Sequence, residues 1–108
     1  MIDFKKYNKF IRTTRKYNNI SDSDTEALLG LFSEIGEVAD VLRDRKVSTR
    51  LQLLEEVGDV LYYLSIILSR NGFTIPDAVK FNVEKLVKRK GLKRTKLQEA
   101  IYFTIDEK

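Results

Sequence analysis

The chain has no cysteine and no histidine. Without cysteine there is no disulfide framework, which fits an expected cytoplasmic location. Without either residue, thiolate and imidazole metal sites are excluded, and so is Ser-His or Cys-His nucleophilic machinery. Any metal must therefore be held by oxygen, which selects hard ions such as Mg²⁺, Mn²⁺ or Ca²⁺. There is one proline and there are five glycines, so long periodic stretches run uninterrupted. No apolar run approaches the roughly 20 residues of a membrane span. The opening Met1-Ile2-Asp3-Phe4-Lys5-Lys6 lacks the apolar stretch of a secretory signal.

What is present suits a helical domain. The 108 residues are enough for one domain and too few for two, and 43% of them are hydrophobic. Charged residues make up 33% of the chain and leave a net charge of +4, unevenly spread. Between Lys85 and Lys96 stand Lys85, Lys88, Arg89, Lys90, Lys93, Arg94 and Lys96, with no acid among them. The acids gather in the middle.

Apolar spacing predicts an all-α fold with four helices. The first runs from about Asp3 to Tyr17, with Phe4, Tyr7, Phe10, Ile11 and Thr14 in step. Asn18 to Asp22 reads as a turn, and Ser23 with Glu26 forms a capping box for a second helix that reaches about Arg45. Its apolar stripe is Leu28, Leu31, Phe32, Ile35, Val38, Ala39 and Leu42. Ser48 or Thr49 caps a third helix, with a facing stripe of Leu54, Val57, Leu61, Leu64 and Leu68. Asn71-Gly72 ends it. Pro76 begins a fourth helix that ends near Gly91. Residues 92–108 read as a short helix and tail, or as extended chain at Ile101 to Ile105. The short link near Lys46 to Ser48 predicts that the second and third helices are antiparallel neighbours.

Those two helices carry a repeat. The segment Leu31 to Leu42 returns 22 residues later as Leu53 to Leu64, with Leu, Glu, Gly, Val and Leu in register. Each copy holds two carboxylates three residues apart, Glu34 and Glu37, then Glu56 and Asp59. That spacing puts both on one helix face, so two facing helices would gather four carboxylates. Acids on a helix are more often a solvated face steadied by Lys or Arg one turn away. None of these four has a basic residue three or four positions along its own helix. Several have another acid there, and like charges at that spacing cost an isolated helix about 0.3 kcal/mol a pair. They flank apolar positions and neighbour Val38, Val41, Val60 and Tyr63. Gly36 and Gly58 recur at matching places, each costing roughly 1 kcal/mol relative to Ala inside a helix. Close approach of backbone or ligand would explain them, and so would packing alone.

Carboxylates hold Mg²⁺ loosely, and its open positions are commonly filled by phosphate oxygens. On the fourth helix Asn82, Lys85 and Arg89 share a face, where Lys85 offers a point charge and Arg89 a fork. A solvated basic helix end, favoured by the helix dipole, accounts for Lys85 and Arg89 equally well.

The pattern Glu34-x-x-Glu37, eighteen residues, Glu56-x-x-Asp59 resembles the signature of the MazG-like all-α nucleoside triphosphate pyrophosphohydrolases. Gly36-Glu37-Val38-Ala39-Asp40, the run Glu55 to Leu64, and Asn82-Val83-Glu84-Lys85-Leu86-x-x-Arg89 are similar to segments of that family. The similarity covers about residues 29–91 of a single domain, with 92–108 as an extension. It implies Mg²⁺-dependent hydrolysis (with Mn²⁺ as substitute) of a nucleoside or deoxynucleoside triphosphate to monophosphate and pyrophosphate. Glu34, Glu37, Glu56 and Asp59 would hold the metal, Glu55 or Glu56 would serve as base, and Asn82, Lys85 and Arg89 would bind substrate. Gln52 stands where some members carry Lys, and Tyr62 where many carry Trp. Members form homodimers or dimers of dimers, so homo-oligomerisation is expected to complete the four-helix core. The rival reading is a nucleic-acid-binding or non-catalytic dimerisation module using the basic 85–96 segment. It leaves the acidic repeat unexplained, and neither a membrane nor a nucleic-acid partner is expected.

Overall fold

The computed structural model describes residues 2–17, 24–44 and 50–91. They form four helices, α1 Phe4–Tyr17, α2 Asp24–Arg43, α3 Arg50–Arg70 and α4 Ile75–Arg89, and no strand occurs among the described residues. The expected caps at Ser23 and at Ser48 or Thr49, the link between α2 and α3, and the 92–108 extension lie outside them. The chain divides into two compact units, Met1–Thr74 and Ile75–Lys108.

Local chemistry explains the described ends. The Asp3 carboxylate accepts hydrogen bonds from the Lys5 and Lys6 amides at 2.9 and 3.3 Å, closing the start of α1. At the end of α3 the Phe73 amide bonds the Leu68 carbonyl and the Gly72 amide bonds that of Ser69. Gly72 has φ +83°, a left-handed conformation that glycine adopts without penalty, so Asn71-Gly72 stops the helix as its sequence suggests. Pro76 falls in the first turn of α4, where a missing N–H costs nothing.

In the first unit α3 packs against both α1 and α2. The core is small: Ile11 from α1, Ala27 from α2 and Ile66 from α3 are fully buried together, with Tyr7, Tyr62, Tyr63 and Ile67 around them. Thr14 and Tyr62 bond through their hydroxyls at 2.9 Å. The Thr14 proton is already given to the Ile11 carbonyl at 2.8 Å, so Tyr62 is the donor. Arg70 donates to Asp24 at 2.6 Å, tying the first turn of α2 to the last turn of α3.

The apolar stripes fall differently from the expectation. Leu31 is buried and Val38 and Leu68 are half-buried, but Leu28, Phe32, Ile35, Ala39 and Leu42 are exposed, as are Leu54, Val57, Leu61 and Leu64. The inward face of α2 is Ala27, Gly30, Leu31, Glu34, Val38 and Val41, and that of α3 is Leu53, Glu56, Val60, Tyr63 and Ile67. These helices carry apolar residues on more than one face. The longer leucine stripe was therefore a poor guide to the side that meets the neighbouring helix.

Candidate metal centre

The inward faces of α2 and α3 are interrupted at their middle by carboxylates. Glu34 and Glu56 are half-buried where a core helix would ordinarily place leucine or valine. Glu34, Glu56 and Asp59 each offer an oxygen within 4.8 Å of the others. Among the described residues no basic side chain forms an ion pair with any of them; Arg43 pairs instead with Asp40 and Arg70 with Asp24. Burial and repulsion together act on the protonation of Glu34 and Glu56. The Glu34 carboxyl is raised above its ordinary value by desolvation, then by the charges of Asp59, Glu56 and Glu37, and by a hydrogen bond shared with Asp59. Glu56 is raised by desolvation and then by Glu37, Asp59 and Glu55. Each of the two resists carrying its charge first because it is desolvated and then because its neighbours carry theirs.

Glu37 is exposed and stands outside the 4.8 Å group, although its charge reaches both Glu34 and Glu56. Glu55 is exposed on α3, one residue from Glu56 and so turned about a quarter of the helix away. Asn82, Lys85 and Arg89 are exposed on α4, within the second unit, and share one face by their spacing. Lys93, Arg94 and Lys96 lie outside the described residues.

Three tyrosines flank the acids. Burial raises the Tyr63 phenol first, then the Glu34 charge, with smaller contributions from Tyr62 and Asp59. Burial raises Tyr7 too, with Tyr62 and Asp59 adding to the shift and the Ser65 hydroxyl opposing it. Ser65 Oγ is buried and finds no partner within ordinary hydrogen-bond geometry. Its influence on Tyr7 is therefore that of a nearby dipole rather than of a formed bond.

Gly36 and Gly58 do not serve close approach among the described residues, since nothing lies within 4 Å of where a Cβ would stand on either. The glycine under pressure is Gly30, where a Cβ would meet the Tyr63 ring. It falls outside the repeated motif, and only its helical offset of four from Glu34 could have marked it.

The sequence matches the profile of the MazG nucleotide pyrophosphohydrolase domain over residues 22–91. Neither the curated proteins nor the solved structures returned a match. The matched span holds both halves of the acidic repeat and the Asn82, Lys85, Arg89 face, and it covers more than half of the chain. The chain belongs to the MazG nucleotide pyrophosphohydrolase domain family.

Proposed function

We propose that this protein hydrolyses a nucleoside or deoxynucleoside triphosphate to the monophosphate and pyrophosphate, using Mg²⁺ (or Mn²⁺) held by Glu34, Glu37, Glu56 and Asp59. One observation carries the reading: the half-buried Glu34 and Glu56 and the exposed Asp59 meet without a counter-charge on two helices that match a nucleotide pyrophosphohydrolase family. The donor set fits such an ion, being all hard oxygen, with no thiol or imidazole in the chain. A bound divalent ion would supply positive charge to the polyphosphate and a lowered pKa to water at the site.

The chain's own residues do the rest. Glu56 or Glu55 takes the proton of a water attacking the α-phosphorus, the bond to the bridging oxygen breaks, and pyrophosphate leaves. Lys85 and Arg89 neutralise the phosphates and Asn82 donates to them, a role supported by their shared face on α4 and by the family. Catalysis of this kind works through positioning and electrostatics. The test is pyrophosphate release from a panel of NTPs and dNTPs with Mg²⁺. Release should fall at least about a hundredfold in Asp59→Asn and Glu37→Gln, as for loss of a group that stabilises transition-state charge. No release from any triphosphate would refute the proposal.

Two further points of architecture belong to this reading. The pairs Asp24–Arg70 and Gly30–Tyr63 run in opposite senses along α2 and α3, which supports antiparallel packing. The exposed faces carrying Phe32 and Leu54, 61% and 67% exposed, are apolar enough to require a cover. A second copy of the chain, as homodimer or dimer of dimers, completes the helical core.

A further inference from the structure

A Cβ built on Gly30 would collide with Cε1 of Tyr63 and stand 2.6 Å from Cζ and 2.9 Å from Cδ1 of the same ring. No real methyl group tolerates such distances, and the obstacle is a rigid ring. The ring is itself confined. It packs against the cluster of Ile11, Ala27 and Ile66, and it meets Tyr62 edge to face with centroids 5.4 Å apart. It cannot swing aside without disturbing the core of the unit.

Both contact residues lie one helical turn from a member of the carboxylate group. Gly30 precedes Glu34 by four residues on α2, and Tyr63 follows Asp59 by four on α3. Helical side chains lean toward the N-terminus. The Glu34 side chain therefore leans over the turn holding Gly30, and the Tyr63 ring leans over the turn holding Asp59. The two come together at the edge of the acidic group, with the ring seated on bare backbone.

We infer that Tyr63, seated on Gly30, is a spacer that fixes the separation of Glu34 on α2 from Asp59 on α3. Tyr63 is a positioning residue, acting through the carboxylates, and Gly30 is its seat. The inference rests on the metal reading above and adds the element that sets its ligand spacing. Spacing matters because small divalent ions demand near-ideal geometry, so a shift of a fraction of an ångström between ligands is felt in affinity. It also accounts for a glycine kept in mid-helix, where alanine would otherwise be preferred.

The experiment is a Mn²⁺ titration of the nucleotide-free protein, following the paramagnetic resonance of the free ion. It compares the wild-type chain, Gly30→Ala, Tyr63→Ala and the double variant, with thermal melts alongside. Gly30→Ala should weaken Mn²⁺ binding about tenfold or more, the usual scale for groups that orient metal ligands. Tyr63→Ala should weaken it comparably, and the double variant should bind no worse than Tyr63→Ala, because the obstacle is then gone. Wild-type affinity in Gly30→Ala, or an equal loss from Gly30→Ala in both backgrounds, overturns the spacer while leaving the metal centre standing. No Mn²⁺ binding by the wild-type chain overturns the metal centre, and the spacer with it. If Gly30→Ala does not fold, Tyr63→Ala decides: unaltered Mn²⁺ affinity in that folded variant overturns the inference.

Discussion

At the scale of single residues, Glu34 is the most informative position. Its carboxyl binds a proton more tightly in the folded chain than its ordinary value near 4.5 allows. Between that value and the raised one, the folded state holds more protons than the unfolded state. Stability from this group is thus full at low pH and is lost as pH rises through the raised value. Glu34→Gln should raise the melting temperature of the metal-free protein at neutral pH and flatten its fall from pH 4.5 upward. A steeper fall in the variant would contradict the assignment. Ser65 offers a second check. A buried hydroxyl without a partner costs stability, so Ser65→Ala should stabilise by about 1 kcal/mol in urea denaturation. The sequence made the acids legible because like charges one turn apart with no basic neighbour are physically odd. It hid Gly30, whose importance lies in a contact made across helices, and Ser65, whose burial is set by that packing.

At the scale of elements, the helices and their described ends followed from the sequence, since Asp3, Gly72 and Pro76 act through their own backbone neighbourhood. The packing faces did not. Leu54, Leu61 and Leu64 line up as well as Leu53, Val60 and Ile67, and only the tertiary arrangement says which set turns inward. The α1–α3 contact depends on Ile66, fully buried against Ile11 and Ala27. Ile66→Ala should cost about 2–5 kcal/mol, far more than Leu61→Ala measured on the isolated chain. Equal costs would mean that the core lies elsewhere.

At the scale of the whole molecule, the exposed apolar faces and the uncompensated acids are the features on which the proposed second copy and the proposed cation rest. Replacing Phe32 by Glu should halve the mass seen by light scattering if two copies meet there, while leaving Mn²⁺ binding in place. An unchanged mass would place any interface on another surface. The acids have a different consequence. The proposed cation would hold the fold against the push of these like charges, and a ligand at a hundred times its dissociation constant adds about 2.7 kcal/mol to stability. For a chain this small, with three fully buried side chains at its centre, that is a large fraction of all it has. A chelator would then act on this protein much as urea acts on others.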